Sequence, residues 1–288
     1  MRKMILALTA LLCLLPFGTP AHQALAAKKT DKSDFNGIKA MSFNIRTANA
    51  KDGTNSWEYR ADAVLAMIQD QAPDVLGLQE ALLRQVQPLI YFLDDYKWIG
   101  VGREDGKKDG EIMAIIYNKK TTSLLKWGTY WLSETPDKPS KGWDAEYMRT
   151  ATWALLKDKK TGKKYFLVNT HLDNSGAQAR ENGLALVIER IAAMNPDGYP
   201  LLLMGDFNMT LDDPSMAPAK KNLQNCRQIA AKSDDLDTCH DWGRNFSAID
   251  FIWEKGFGSC VEYETLTKEY GGRAYISDHY PILAKLIF

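Results

Sequence analysis

Apolar residues recur along this chain with two alternating periods, and each period predicts one type of element. Residues 38–46 alternate between apolar and polar positions and predict a strand, whereas residues 57–71 carry apolar residues at helical spacing and predict an amphipathic helix. A short strand over residues 75–79 and a second helix over residues 82–93 follow. The first part of the domain therefore alternates between strand and helix.

Strands dominate the middle of the chain, until a long helix over residues 177–194 and a strand over residues 201–204 restore the alternation. Residues 209–245 are polar and irregular, with one short helix predicted near residues 220–231. No linker rich in proline and glycine divides the pattern, which predicts one layered α/β domain with its sheets in the middle. The other predicted strands span residues 97–102, 111–118, 123–132, 149–157, 163–172, 247–253, 259–267 and 281–288.

The N-terminal segment predicts a secretory signal peptide. Arg2 and Lys3 precede an almost purely apolar run over residues 4–17, and Ala24 and Ala26 supply the small residues that signal peptidase reads. The apolar run is too short to span a membrane comfortably. The alternative is that this segment stays uncleaved as an anchor.

Cleavage near Ala26 would leave a polar linker over residues 27–37 and a folded domain over residues 38–288. We therefore expect a secreted or periplasmic protein without a stable membrane anchor, and we expect a monomer. Residues of hydrophobic type make up 45% of the chain and charged residues 25%, which is typical of a soluble globular protein.

The charge balance gives no global attraction to nucleic acid. The chain contains 36 basic and 36 acidic residues, and the signal peptide removes Arg2 and Lys3, which leaves 34 basic residues. The mature protein would carry a net charge of about −2.

Three cysteines remain after processing: Cys226, Cys239 and Cys260. An oxidising compartment permits a disulfide, and an odd number of cysteines allows at most one intramolecular bridge. We expect Cys226 to pair with Cys239, because that bridge would close a short polar loop. The spacing fits no common zinc site.

Polar and ionisable residues stand where several apolar runs end. In "LLLMGDFNMT", for example, four apolar residues lead to Asp206 and Asn208. Each such residue alone has a structural explanation, as a turn residue, a helix cap or a hydrogen-bonded core histidine. Together they form the set that a divalent metal and a phosphate ester would use. The other members are Asn44, Glu80, His171, Asp173, Asp250, Asp278 and His279.

The chemistry of phosphate esters accounts for these residue types. A phosphodiester is anionic and repels hydroxide, and Mg²⁺ or Mn²⁺ relieves this repulsion by binding a phosphoryl oxygen. Mg²⁺ prefers hard oxygen ligands and keeps several waters, so one or two carboxylates suffice to hold it. A histidine can take a proton from water while a buried carboxylate fixes its tautomer.

Seven motifs in order resemble those of the endonuclease/exonuclease/phosphatase superfamily, the DNase-I-like fold. The resemblance covers about residues 38–288 and implies a four-layer α/β sandwich of two packed mixed sheets flanked by helices, with the active site at one edge. The motifs are "SFNIR", "LQE", "IIYN", "NTHLD", "GDFN", "IDFIW" and "SDHYP".

The resemblance implies a metal centre of Mg²⁺ or Mn²⁺. Glu80 would be the main ligand, with Asn44 near it and Asp278 as an additional ligand. Asp206 and Asn208 would position the nucleophile and a phosphoryl oxygen.

The resemblance also implies that His279 is the general base, or the partner that activates water, and that Asp250 orients it. Asp250 interrupts the apolar run "SAIDFIW", where an isolated buried carboxylate would be costly. We therefore expect Asp250 and His279 to be in contact. His171 would donate to the phosphoryl oxygen or to the leaving group.

Four residues are candidates for substrate binding. Arg46 lies two positions after Asn44, and Arg149 follows a charged loop, although a structural salt bridge would explain Arg149 equally well. Tyr117 is a supporting candidate. Trp131 belongs to an aromatic-rich stretch over residues 127–149, whose rings would either contact substrate or pack between the sheets.

The sequence leaves the substrate open. A nucleic acid and a sugar, inositol or lipid phosphodiester all remain candidates, as does a phosphomonoester. An endonuclease acting on DNA or RNA and a non-catalytic binding module on the same fold are the alternative functions. A zinc hydrolase is disfavoured because the residue set is rich in oxygen ligands and has only two histidines.

Overall fold

A computed structural model describes residues 35–288 of the chain. The predicted signal peptide over residues 1–26 and the predicted linker as far as residue 34 lie outside the described residues. Within the described part, no helix combines the length and the apolar character that a membrane span requires. In chain order the strands are β1 (Gly37–Asn44), β2 (Val75–Gln79), β3 (Tyr96–Ile99), β4 (Ile115–Asn118), β5 (Thr122–Trp131), β6 (Thr150–Asp158), β7 (Lys164–His171), β8 (Leu201–Asp206), β9 (Gln224–Asn225), β10 (Asp250–Lys255), β11 (Ser259–Thr265) and β12 (Ile282–Ile287).

The helices of residues 35–288 are mostly short, and two long ones flank the sheets. In chain order they are α1 (Trp57–Gln71), α2 (Leu83–Tyr91), α3 (Ala177–Met194), α4 (Ala217–Asn222) and α5 (Cys226–Ile229).

Over residues 35–288 the strands form two mixed sheets of six strands each. The first sheet has the order β11-β12-β1-β2-β4-β3 and the second has the order β5-β6-β7-β8-β10-β9. β1 is parallel to β2, and β7 is parallel to β8, whereas the neighbouring pairs are antiparallel. One parallel pair ends at Asn44 and Gln79, and the other ends at His171 and Asp206. The polar residues that follow the apolar runs therefore lie at the carboxyl ends of these strands.

Three apolar cores separate four layers. Side chains of α1 and α2 pack with one face of the first sheet, and side chains of α3 pack with the outer face of the second sheet. The inner faces of the two sheets meet in the third core, which includes Ile38 and Ala40 of β1 and Leu202 and Ile252 of the second sheet. This arrangement confirms the predicted four-layer α/β sandwich.

A buried polar contact fixes the two sheets relative to each other near the end of β2. Gln79 donates a hydrogen bond of 2.6 Å to the side-chain oxygen of Asn169 in β7. Asn169 in turn donates to the carbonyl oxygens of Leu78 and Ala114. Buried polar groups of this kind hold one arrangement because each alternative would leave them unpaired.

Two predicted elements differ in the structure. Only residues 115–118 of the predicted strand 111–118 belong to β4, because Ile112 instead bonds to Ala81 and Gly102 in isolated bridges. The single helix predicted near residues 220–231 is split by β9, whose residues pair with β10.

The predicted pairing of Cys226 with Cys239 is wrong in this structure. Cys226 and Cys260 are buried together in the core between the sheets. Cys239 lies instead beside His279, in a backbone bridge. In the described residues all three thiols are free. The loop that the bridge would have closed spans two separate regions of the fold.

Candidate active site in a polar cleft

A cleft of about 510 Å³ opens at the ends of the strands, and most of the predicted site residues line it. Asn44 and Asp250 are buried immediately behind it, at 0% and 2% exposure. The predicted residues on its surface are Arg46, Glu80, Arg149, His171, Asp206, Asn208, Asp278 and His279.

Strand register accounts for this convergence. His171 at the end of β7 pairs with Asp206 at the end of β8, and Asp206 pairs with Asp250 at the start of β10. Gly205 allows β8 to reach this position: its φ is +150°, and a β-carbon there would lie 1.9 Å from the carbonyl oxygen of Thr170. A glycine is therefore required before Asp206.

Asn44 joins the two sheets at the floor of the cleft. Its amide nitrogen donates to a carboxylate oxygen of Glu80 and to one of Asp206, at 3.0 Å each. Its side-chain oxygen accepts the backbone N–H of Arg46 at 3.0 Å. Asn44 therefore orients the two carboxylates at the floor of the cleft, and its place among the metal ligands stays a prediction.

The expected contact between His279 and Asp250 is present. His279 Nδ1 lies 2.8 Å from Asp250 Oδ2, and Thr238 donates to the same oxygen at 2.6 Å. His279 Nε2 faces Asp206, with 3.8 Å between Nε2 and Oδ2. Burial alone would lower the pKa of His279, but the charge and hydrogen bond of Asp250 outweigh it, so this pKa is raised well above its usual value.

Asp206 is a buried carboxyl with a raised pKa. Burial raises the pKa to about 7, and the nearby charge of Asp250 adds to this effect. His279, the backbone N–H of Asn208 and the amide of Asn44 act in the opposite direction. The carboxyl is therefore poised to exchange a proton near neutral pH.

His171 is neutral and is held by Asn208. The Asn208 amide nitrogen lies 2.9 Å from His171 Nε2 and 2.9 Å from the carbonyl oxygen of Leu172. Because the amide donates to Nε2, the ring proton is on Nδ1. Burial lowers the pKa of His171 well below its usual value, and Arg149 adds to this effect.

Glu80 and Asp278 provide oxygen atoms that fit a divalent cation. Glu80 lines the cleft beside Asn44, and its second oxygen accepts the backbone N–H of Thr47 at 2.9 Å. Burial raises the pKa of Asp278, the charge of Glu80 raises it further, and His279 and Arg46 oppose this. Two carboxylates that repel each other across a cleft suit Mg²⁺ or Mn²⁺, whose charge would offset the repulsion.

A second group of possible ligands lies deeper. Ligand atoms of Asp206, Asp250 and His279 lie within 4.8 Å of one another. In this group Nδ1 of His279 is already hydrogen-bonded to Asp250, and only Nε2 remains as a nitrogen ligand. The oxygen-only pair of Glu80 and Asp278 therefore matches the preference of Mg²⁺ better.

Three non-glycine residues at the cleft have left-handed backbone conformations. Arg46, Glu80 and Asn208 have φ values of 55°, 60° and 49°. Such conformations cost on the order of 1 kcal/mol or more each, and they concentrate at functional sites where the surroundings impose them.

Two predicted substrate residues lie away from the cleft and are corrected. Tyr117 is in the core between the sheets and pairs with Val75, at the opposite end of β2 from Glu80, because β4 runs antiparallel to β2. Trp131 is buried, and its Nε1 donates to the carbonyl oxygen of Arg103 at 2.7 Å. Trp131 supports a cleft residue instead of contacting substrate.

Arg46 and Arg149 line the cleft and also form ion pairs. Arg46 is 3.0 Å from Asp52 and 3.3 Å from Asp278. Arg149 is 3.3 Å from Asp173 and donates to Asn174 at 2.7 Å. The structural salt bridge considered for Arg149 is thus present together with its position in the cleft.

Several residues that line the cleft were not predicted as site residues from the sequence. Most of them lie in polar loops that resemble any solvated surface, so their pattern carries no signal of function. They include Thr47, Asn49, Arg103, Glu111, Tyr147, Asn174, Cys239 and Ile249.

Comparison with known proteins agrees with this architecture. The sequence model of the Endonuclease/Exonuclease/phosphatase family matches residues 41–279. An endonuclease/exonuclease/phosphatase from Bacteroides vulgatus is 37% identical, with a TM-score of 0.82 over 87% of this chain and 98% of that one. A mannosyl-6-phosphatase from Bacteroides thetaiotaomicron is 33% identical, with a TM-score of 0.83 over 87% of this chain and all of that one.

A more distant relative is an uncharacterized protein of Acanthamoeba polyphaga mimivirus. It is 28% identical over 177 residues, which are 58% of this chain and 63% of the relative. The chain spans less than two thirds of the length of the curated viral relatives that it matches.

Proposed function

Because this chain belongs to the endonuclease/exonuclease/phosphatase family, we propose that it is a hydrolase of phosphate esters that depends on a divalent cation. The observation that carries the proposal is one cluster of buried side chains at the floor of the cleft. Hydrogen bonds join Glu80 to Asn44 and Asn44 to Asp206, and the ring of His279, which is hydrogen-bonded to Asp250, has its Nε2 3.8 Å from Asp206.

The cation would be held mainly by Glu80, with Asp278 as the second carboxylate. When bound, Mg²⁺ or Mn²⁺ would neutralise part of the charge on the phosphoryl group. Asn44 would keep the Glu80 carboxylate in place, since it is hydrogen-bonded to it at 3.0 Å. Arg46, 3.3 Å from Asp278, would be within reach of an anionic substrate.

The attacking water would be held and deprotonated between Asp206 and His279. Nδ1 of His279 is hydrogen-bonded to Asp250, and Nε2 lies on the side of Asp206. Because the pKa of His279 is raised, its ring would orient the water as an imidazolium that Asp250 stabilises, and Asp206, with a pKa of about 7, would accept the proton. Asn208 and His171 would contact the phosphoryl oxygens or the leaving group.

A small phosphate ester suits the cleft better than a nucleic acid. Nucleic-acid binding requires basic side chains that neutralise successive phosphates. Among the described residues that line the cleft, Arg46, Arg103 and Arg149 face four acidic residues. A phosphorylated sugar is the substrate that the similar mannosyl-6-phosphatase suggests. An endonuclease remains the second candidate function.

We further propose that the protein acts after export, as a secreted or periplasmic monomer. The N-terminal pattern of Arg2, Lys3 and the apolar run over residues 4–17 supports this proposal. The intact set of strand-end residues also favours an enzyme over a binding module on the same fold.

An activity screen tests the proposal. The purified domain is assayed with Mg²⁺, with Mn²⁺ and with EDTA on mannose 6-phosphate, p-nitrophenyl phosphate, bis-p-nitrophenyl phosphate and plasmid DNA. We expect hydrolysis of a small ester with either cation, and loss of it in EDTA and in Glu80→Gln. Glu189→Gln, at an exposed position of α3, is the matched control. Full activity in EDTA would contradict the proposal.

A further inference from the structure

One wall of the cleft is built by the loop between β3 and β4, over residues 100–114, which the proposed chemistry does not use. Within this loop, the backbone N–H of Arg103 donates to the carbonyl oxygen of Glu111, and that of Glu104 donates to the carbonyl oxygen of Asp109. Ile112 then donates to the carbonyl oxygen of Ala81, the residue after Glu80. The loop is thereby attached next to the proposed main metal ligand.

The loop presents a paired guanidinium and carboxylate to the cleft. Arg103 Nη1 lies 2.6 Å from Glu111 Oε2, and the two side chains are only 10% and 15% exposed. Trp131 supports the pair from below, since it donates to the carbonyl oxygen of Arg103. A partly buried charged pair held this way has a defined orientation, which an exposed surface pair lacks.

The pair offers both donors and acceptors to a ligand. A guanidinium has five N–H donors, and a carboxylate has two acceptor oxygens. Arg103 uses Nη1 for Glu111 and Nε for Glu104, and Glu111 uses Oε2 for Arg103. Neighbouring hydroxyl groups, each of which donates and accepts, match such a mixed set.

The same wall is poorly suited to a second anion or to a nucleobase. Glu111 places a negative charge beside Arg103, and Arg149 is paired with Asp173. The ring of Tyr147 has the guanidinium of Arg103 5.1 Å from its centroid and that of Arg149 5.6 Å from it. These cations occupy the ring where a base would stack.

We propose that Arg103 and Glu111 form a subsite for the alcohol part of the substrate, and that this alcohol is an uncharged sugar whose neighbouring hydroxyls bind the pair. This inference rests on the proposed function, because the subsite adjoins the proposed phosphoryl position in the same cleft. It specifies the substrate class as monosaccharide phosphate esters.

A comparison of two substrates tests the subsite. The kcat/KM is measured for mannose 6-phosphate, which has sugar hydroxyls, and for p-nitrophenyl phosphate, which has none. We divide the kcat/KM for mannose 6-phosphate by that for p-nitrophenyl phosphate. In Glu111→Gln and in Arg103→Lys, we expect this ratio to fall about 10- to 100-fold, the loss expected for a hydrogen bond to a charged group. Glu181→Gln, exposed on α3, should leave the ratio unchanged.

The outcomes separate this inference from the proposed function. An unchanged ratio in both variants, with p-nitrophenyl phosphate hydrolysed, overturns the subsite and leaves the phosphoesterase intact. If neither substrate is hydrolysed, and the diesters of the activity screen are not hydrolysed either, the proposed function is overturned. In that case calorimetric binding of mannose 6-phosphate decides the subsite: weaker binding by Glu111→Gln than by the unchanged protein supports it, and equal binding or no binding overturns it.

Discussion

The imidazole of His279 and the carboxylate of Asp250 are hydrogen-bonded at 2.8 Å, although 29 positions separate the two residues in the chain. Asp250 begins β10 of the second sheet, whereas His279 lies just before β12 of the first sheet. The contact therefore depends on the packing of the whole sandwich.

Removal of this histidine should abolish most of the activity while the fold survives. In His279→Ala we expect kcat to fall roughly 10²- to 10⁴-fold, the usual contribution of a positioned acid–base group. Asp250→Asn should cost less, because the imidazole remains but Asp250 no longer fixes its orientation and charge. Steady-state kinetics measures kcat, and urea unfolding measures the free energy of unfolding, for each variant. Asp235→Asn, at an exposed position, is the control. A loss of stability that matches the loss of activity would contradict this role.

Asn44→Asp should destabilise the protein most strongly when no divalent cation is present. The substitution replaces an amide donor with a third carboxylate, 3.0 Å from Glu80 and from Asp206. We expect the free energy of unfolding to fall by about 1–3 kcal/mol in EDTA. Urea denaturation with EDTA and with excess Mg²⁺ measures this, and Mg²⁺ should recover part of the loss.

The exposed Asn245→Asp is the control for this substitution. An equal stability of Asn44→Asp and the unchanged protein in EDTA would show that Asn44 does not hold the two carboxylates apart.

Asp173 should stabilise the fold at neutral pH and cease to do so in acid. Burial raises the pKa of Asp173, but backbone N–H groups of Gly176, Glu146, Ser175 and Tyr147 outweigh it and lower the pKa to about 2. An unfolded aspartate has a pKa of about 3.9. The stabilisation is therefore complete above about pH 5, where it amounts to about 2–3 kcal/mol, and it is lost as the pH falls towards 2.

Asp173→Asn checks the sign of this dependence. Its free energy of unfolding should lie below that of the unchanged protein at pH 7, and the gap should close between pH 4 and pH 2. Asp137→Asn, whose side chain is 82% exposed, should show no such gap. A gap that widens in acid would refute the assignment.

Cys239 should be the reactive thiol of the folded, reduced protein. Cys226 and Cys260 are 0% and 4% exposed, whereas Cys239 lines the cleft. Titration with Ellman's reagent should show one fast thiol in the folded protein and three after denaturation. The fast phase should disappear in Cys239→Ser and persist in Cys226→Ser. Two fast thiols would show that the core between the sheets opens readily.

The strand ends of the site were predictable because apolar runs reveal where buried strands stop. Asp206 and His171 each stand at such an end and Asp250 stands at the start of β10, and pairing of β7, β8 and β10 then brings the three together. The order of the motifs indicated the fold, whose layers the three cores confirm.

The wrong or missing predictions concern residues whose position depends on tertiary packing and not on the local sequence. Tyr117 stands in an apolar run like the others, but the antiparallel direction of β4 carries it away from the cleft. Arg103 and Glu111 look like surface charges, since nothing local shows that Trp131 holds them against the cleft. Cys226 follows β9, which interrupts the predicted helix, and is buried with Cys260 in the core between the sheets.

The amide of Asn44 binds one carboxylate from each sheet, so the site is complete only after both sheets have folded and packed together. The first sheet supplies Asn44 and Glu80, while the second supplies Asp206 and Asp250. Neither half contains a complete site, so a ribosome-bound or partly folded chain would be inert. On the proposed mechanism, hydrolytic competence would emerge only when the final strand, β12, docks and delivers His279.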